Sequence, residues 1–303
     1  LILRPSEKQL DLRLQKKTVS QKSTHEWNMI IRPSGGLFDL RLKELWEYRD
    51  LLYLLVRRDI ITVYKQTLLG AFWFVLPPIL NTVIYFVLFG VIAKVSTDGT
   101  NPILFYLTGL IAWGYFSDCI SRTASTFRTN ASIFGKVYFP RLIVPLSSVV
   151  SALVKFGVQL ILLIGTLVFF LIRGENVHPQ MTYVWLLPIL LLMMMFTGLA
   201  FGIIISSLTT KYRDLSNMVP FAVQLLMYAT PVIYPANVIP EKFQWILQIN
   251  PLTPIIESIR YVFLGSDKIS WPMLGYSFAF TLVTLFIGLI LFNKTEKNFM
   301  DTV

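Results

Sequence analysis

Six apolar runs, bounded by short segments that carry almost all of the charge, limit what this chain can fold into. They cover residues 70–93, 102–120, 142–172, 183–208, 218–233 and 271–292. A helix needs about 20 mainly apolar residues to cross the hydrocarbon core of a bilayer. A charged side chain at the bilayer centre costs at least about 2.5–3.5 kcal/mol. Only 15% of the residues are charged, against about 25% in soluble domains, and most of the runs lack the polar face that a surface helix of a soluble protein needs. The expected fold is therefore all-α and membrane-integral, with six crossings. The third run is long enough to tilt or protrude. The fifth is short and interrupted by Pro220 and Pro231, which leaves its ends the least defined.

The formal net charge of +10 suggests nucleic acid as a partner, but its distribution argues otherwise. Residues 1–69 carry a net +5, and the loop 121–141 adds Arg122, Arg128, Lys136 and Arg141 with no acid. Both segments flank apolar runs, as the positive-inside rule requires of cytosolic loops. The loop 209–217 is also positive, whereas the loops on the opposite side are neutral. Six crossings then leave both termini in the cytosol. The first long apolar run begins near Gly70 behind a polar segment, so the chain reads without a signal peptide. Cys119 is the only cysteine, which excludes an intrachain disulfide.

Two segments outside the expected crossings carry further information. Between residues 38 and 60 the apolar Phe38, Leu42, Leu45, Leu52, Val56 and Ile60 recur on one helical face, with Asp39, Lys43, Glu47, Asp50 and Arg57 opposite. This pattern fits a helix lying in the membrane interface, with Trp46 and Tyr53 at headgroup level. The outer segment 235–270 is too apolar for a solvated loop and too divided by Pro251 and Pro254 to span. Two short re-entrant helices packed on the bundle satisfy it, and Glu257 and Arg260, three residues apart, are placed to pair on the second. The organisation is a polar extension (1–34), an amphipathic interface segment (35–69), the transmembrane domain (70–292) and a cytosolic tail (293–303).

Residues that could do chemistry are scarce. The chain has no G-x-x-x-x-G-K-[ST] motif, so it is not expected to hydrolyse ATP through a P-loop. His25 and His178 lie far apart, which leaves no metal site with ligand spacing. No catalytic constellation stands out, and an enzyme is not expected. Lys155 falls well inside the third run, where a charge is functional by default unless it snorkels to an interface. Asp118 is placed to pair with Arg122, one turn further along the second run.

From about Pro33 to Phe292 the chain resembles the integral membrane subunits of ABC transporters that export O-antigen, teichoic acid and capsular polysaccharide. The resemblance rests on Tyr106-Leu-Thr-Gly-Leu-Ile-Ala-Trp113, on Lys136-Val-Tyr-Phe-Pro-Arg141 with Pro145, and on Arg58-Asp59 followed by Tyr64-Lys65-Gln66-Thr67. Tyr212-Arg213-Asp214, Thr230-Pro-Val-Ile-Tyr-Pro235 and Asn250-Pro-Leu-Thr-Pro254 extend it. The resemblance implies a homodimer in the bacterial inner membrane, joined to two copies of a separate cytosolic P-loop ATPase that binds ATP and Mg. It implies no cofactor in this chain.

The resemblance further implies that 131–139 forms a coupling helix against the ATPase, with Ala131, Phe134, Lys136, Tyr138 and Arg141 as contacts. The expected cargo is a lipid-linked polysaccharide, whose sugar faces stack on aromatic rings. Trp73, Tyr85 and Tyr228 are the candidate channel residues. Aromatics of the second run, Phe105, Tyr106, Trp113, Tyr115 and Phe116, also offer themselves, and Lys155 could face a lipid-linked pyrophosphate. Pro251, Pro254, Glu257 and Arg260 mark an exit gate expected to close on the first and fifth crossings. Export of a lipid or drug is the alternative within the same fold; a self-contained channel or secondary transporter is another, and it would usually carry internal repeats.

Overall fold

Proline marks several of the helix ends of this chain: Pro102 and Pro254 stand in the first turns of their helices, and Pro231 follows the end of another. In the computed structural model, which describes residues 42–65, 70, 72–97, 99–130, 134, 139–175, 177–212, 214–266 and 268–299, the regular elements are helical. They are α1 (Leu42–Glu47), α2 (Arg49–Lys65), α3 (Phe72–Tyr85), α4 (Pro102–Ala124), α5 (Thr126–Thr129) and α6 (Ile143–Ile172). After these come α7 (Leu186–Thr209), α8 (Leu215–Tyr228), α9 (Gln244–Ile249), α10 (Thr253–Leu264) and α11 (Trp271–Phe299). The polar extension 1–34 lies outside the described residues, as does the start of the amphipathic segment.

Five helical segments are long and apolar enough to cross a membrane: Phe72–Ile92, Pro102–Ala124, Ile143–Ile172, Leu186–Thr209 and Trp271–Glu296. The first is α3 continued by a π-helical stretch, Phe86–Ile92, in which the Ala93 N–H reaches the Leu88 carbonyl at 2.9 Å. The second starts with Pro102 in the first turn, where a missing N–H is harmless. Asn101 caps it, its Oδ1 accepting from the Ile103 N–H at 2.9 Å.

The expected fifth crossing is shorter than its apolar run. Helix α8 has 14 residues, a rise of about 21 Å against a hydrocarbon core of about 30 Å. The cause lies in Thr230-Pro231: a residue before proline is driven out of the α region, so the helix cannot continue. At the other end of the chain the helix outlasts its apolar run, because α11 continues to Phe299 into the segment read as a tail.

Helix α4 is the centre of the bundle. In its most apolar stretch 78% of residues are buried, against 11% for Phe72–Ile92, which lies at the periphery. Helices α6 and α7 flank α4, and α11 lies against α7. Close approach of α7 to α4 depends on Gly202, since a Cβ there would collide with the Thr123 side chain. All five second-run aromatics, Phe105, Tyr106, Trp113, Tyr115 and Phe116, are buried within the chain. They are core residues, and the expectation that they offer themselves to a channel is corrected accordingly. Helix α2 packs on α6 and has Val56 buried, while Trp46 of α1 and Tyr53 of α2 stay exposed.

Candidate translocation site

The segment 235–270, expected on the outer side and hereafter the outer segment, is fastened to the bundle by short polar contacts at its turn. Asn250 Nδ2 donates to Thr230 Oγ1 at 2.7 Å and to the Ala229 carbonyl at 3.2 Å, and so ties the α9–α10 turn to the end of α8. Its Oδ1 accepts from the Leu252 N–H at 3.0 Å. Ser277 on α11 donates to the Pro251 carbonyl at 2.7 Å, and Tyr276 to the Ile249 carbonyl at 2.8 Å. Thr253 and Pro254 occupy the first turn of α10, and ten of its twelve residues are buried. The helix ends at Gly265, whose φ of 71° is left-handed.

Helix α10 packs mainly on α4, α7 and α11. The second, fourth and sixth apolar runs thus hold it, where the first and fifth were expected. Arg260 explains much of this. Its side chain is fully buried and lies over the Phe105 ring of α4, with the guanidinium carbon 3.7 Å from the ring centroid. Its Nη2 donates to the Val232 carbonyl in the turn after α8. Gly109 on α4 makes room for this contact, because a Cβ there would collide with the Val232 carbonyl and lie 2.8 Å from Arg260 Nη2. Glu257, one turn before Arg260, is half-buried.

The candidate aromatic residues divide. Tyr85 stacks on Phe89 with ring centroids 5.9 Å apart, and its hydroxyl lies in the neighbourhood of Tyr228 and Gln224. Gln224 Nε2 in turn donates to Tyr228 Oη at 3.3 Å, and Tyr234 Oη donates to the Tyr228 carbonyl at 2.7 Å. Tyr85 and Tyr228, from different helices, therefore meet in one polar-edged aromatic cluster. Tyr228 is exposed there. Trp73 is also exposed, near the start of α3.

Lys155 does not stand alone. Its Nζ donates to Asp118 Oδ2 at 2.7 Å, with both side chains about a quarter exposed. Asp118 pairs with Lys155 across the α4–α6 contact, and its expected pairing with Arg122 is corrected. The sequence spacing that suggested Arg122 sees only one helix at a time. Gln159, four residues beyond Lys155, donates to the Phe74 carbonyl of α3 at 2.9 Å.

One turn beyond Asp118, Arg122 lines a different feature, a polar cavity of about 380 Å³. Arg58 and Asp59 of α2, Ser125 and Thr129 after α4, and Ser147 and Ser148 of α6 share it. Arg58 Nη2 lies 2.9 Å from Asp59 Oδ1. The Arg58-Asp59 pair belongs to a recognisable block of sequence, but its meeting with Arg122 has no sequence signal, since 64 positions separate Arg58 from Arg122.

Of the candidate coupling residues, Ala131, Lys136 and Tyr138 lie outside the described residues. Phe134 and Arg141 are buried. Phe134 packs against Phe127 and Phe139 with centroids 5.9 and 5.8 Å apart, and Phe127 stacks near Phe292 of α11. Arg141 sits over the Phe134 ring, and its Nη1 donates to the Glu296 carbonyl at 2.8 Å. Burial lowers the Arg141 pKa from its ordinary value, opposed by the charge of Glu296, and a guanidinium stays protonated regardless.

Several helices long and apolar enough to cross a bilayer, packed around α4, give this chain the make-up of an integral membrane helical bundle. The family model for ABC-2 type transporters matches residues 50–264, more than half of the sequence. The chain belongs to this family. It is 31% identical over 252 residues to an O-antigen export system permease protein RfbA of Klebsiella pneumoniae, covering 83% of this chain and 94% of the relative. The RfbA of Myxococcus xanthus is 28% identical over 86% of this chain and 98% of its own length. The polysialic acid transport protein KpsM of Escherichia coli is 25% identical over 81% of this chain and 93% of its own.

Proposed function

We propose that this chain is the transmembrane permease subunit of an ATP-driven exporter that moves lipid-linked surface polysaccharide across the bacterial inner membrane. The observation that carries the reading is the similarity to O-antigen export permeases along most of both chains. The chain works as a homodimer with two copies of a cytosolic P-loop ATPase, which bind ATP and Mg. In this reading α8 and the turn after it complete a sixth crossing, and α9 and α10 re-enter the outer leaflet. Both termini are cytosolic, consistent with the positive loops on that side.

The Tyr85–Tyr228 cluster and Trp73 supply faces on which a sugar chain slides without being gripped, since aromatic rings offer broad contact with few directional bonds. The loop 131–139 receives the ATPase stroke and passes it through the Phe134–Phe127–Phe292 stack to α11. At the outer end, α10 seals the path between transport events. The test is a deletion strain complemented with this chain alone, with the ATPase alone, and with both. Surface polysaccharide should return only with both. Normal polysaccharide in the deletion strain, together with loss of a lipid or drug efflux activity, would overturn the reading.

A further inference from the structure

The polar cavity of about 380 Å³ between α2, α4 and α6 lies at the end of the bundle where α4 stops and α6 starts. Arg122 stands two residues before the last residue of α4, and Ser147 and Ser148 fall in the second turn of α6. Arg58 and Asp59 of α2 and Ser125 add to the wall. A helix that crosses a bilayer passes at its ends from hydrocarbon into the headgroup layer. This is therefore the level at which lipid phosphates lie.

The charges around the cavity do not balance. Asp59 is matched by Arg58, whose Nε and Nη2 donate to its Oδ1 at 3.1 and 2.9 Å. The other oxygen of Asp59 accepts from Ser151 at 3.4 Å. Asp118, the acid one turn before Arg122 on α4, is taken by Lys155 at 2.7 Å. Arg122 is left half-buried on the cavity wall, with no hydrogen bond or ion pair from its side chain among the described residues.

A guanidinium drawn partly out of water without a counter-ion is costly, and an anion in the cavity supplies one. The Ser125, Ser147 and Ser148 hydroxyls donate to carbonyls three or four residues back, at 3.0, 2.8 and 3.1 Å. A hydroxyl proton rotates to suit its acceptor, so each can turn to an anion instead. The planar fork of arginine matches phosphate oxygens in particular, and basic pockets between crossing helices suit lipid headgroups. The volume falls within the roughly 300–1,000 Å³ of ordinary ligand pockets, so a headgroup fits while its hydrocarbon chains stay in the bilayer.

We propose that this cavity binds the phosphate of a lipid headgroup, with Arg122 as its principal partner and Arg58 and the serines beside it. The phosphate comes either from an anionic phospholipid of the bilayer or from the lipid carrier of the exported glycan, and the chemistry of capture is the same. Only the second source rests on the polysaccharide export reading.

The test uses the full transporter with its ATPase in detergent, with bound lipid measured by native mass spectrometry. Phosphatidylglycerol and a polyprenyl pyrophosphate are titrated separately against a background of phosphatidylcholine. Wild type should bind at least one of these probes. Arg122→Gln should weaken that binding about tenfold, the worth of one charge-assisted hydrogen bond. Arg128→Gln is the control, since Arg128 is exposed, bonded to Ser216 at 2.9 Å and absent from the cavity wall; it should leave binding unchanged. A fall confined to phosphatidylglycerol marks a bilayer lipid, a fall confined to the pyrophosphate marks the cargo's carrier, and a fall in both marks a site for either. Binding unchanged in Arg122→Gln would overturn the proposal, as would an equal fall in Arg128→Gln. Unchanged lipid binding with loss of the ATPase would make Arg122 a docking residue for that partner instead. Should Arg122→Gln fail to assemble, wild type decides the matter with photoreactive headgroups: cross-links should fall within 122–129 or 144–148, and cross-links confined to other segments would sink the site. Surface polysaccharide restored by a wild-type chain whose site fails leaves the export reading standing; a chain that binds phosphatidylglycerol through Arg122 but restores no polysaccharide brings down that reading alone.

Discussion

Arg260 of α10 rests on the ring of Phe105 of α4, its guanidinium carbon 3.7 Å from the ring centroid. The same side chain reaches the Val232 carbonyl, so one buried residue joins the outer segment, the central helix and the turn after α8. Both contacts need a flat, multi-donor cation. A lysine offers a point charge on a flexible stem and cannot stack and donate sideways together. Arg260→Lys is therefore expected to destabilise the protein by about 1–3 kcal/mol, and Arg260→Ala by more, since it also leaves a cavity and an unpaired carbonyl. Thermal unfolding in detergent checks this, and equal melting of Arg260→Lys and wild type would refute it.

Gly109 tests the same joint from the other side. A Cβ at this position would collide with the Val232 carbonyl, and neither backbone can easily give. Overpacking of this kind costs about 1–3 kcal/mol. Gly109→Ala should lower the melting temperature and raise protease cleavage within 229–252, where the turn would be pushed away from α4. Gly114 on the same helix has open space at its Cβ, so Gly114→Ala is the control and should leave both readouts unchanged.

The fifth run yields only the short α8, but five of the six expected crossings were legible in the sequence as long apolar helices, because length and apolar composition are carried by the residues themselves. So was the division of the outer segment into short helices, through Pro251, Pro254 and the left-handed Gly265. What the sequence hid were partnerships between helices. Asp118 and Arg122 satisfy the spacing for a pair on one helix, but a low-dielectric interior favours the nearest opposite charge from any direction, and Lys155 supplies it. Hydropathy cannot tell α4 from α3 either, since both are apolar and only packing makes one the core and the other the periphery. For this reason the aromatics of the second run looked equivalent to those of the first, although Phe105 and Tyr115 are buried and Trp73 is exposed.

The Lys155–Asp118 pair predicts a distinctive pattern of single and double substitutions. Removing one partner strands the other at a partly buried position, so Lys155→Met or Asp118→Leu alone should destabilise the fold by about 1–3 kcal/mol. The double variant replaces both charges with apolar groups and should recover most of that loss. The measurement is a double-mutant cycle on unfolding in detergent. If stability returns in the double variant while polysaccharide export does not, the pair acts in transport as well as in folding. Additive losses with no recovery would refute the coupling.

Two residues of the 131–141 loop should behave differently when replaced, because one is turned inward and the other is proposed to face a partner. Arg141 is buried over Phe134 and donates to the Glu296 carbonyl near the end of α11. Arg141→Ala removes a charge-assisted hydrogen bond and a cation–π contact, which together cost about 1–3 kcal/mol. Its first effect should be on stability, with export falling in proportion to the protein that survives. Tyr138 is expected to touch the ATPase. Tyr138→Ala should leave melting within the small range of a surface change, about 0.5 kcal/mol, while raising the ATP hydrolysed per unit of polysaccharide exported. Measuring melting and hydrolysis-to-export ratio on both variants separates the roles. A Tyr138→Ala protein that is destabilised as much as Arg141→Ala, with an unchanged ratio, would place Tyr138 in the fold and leave the coupling contact to be sought in the loop 209–217.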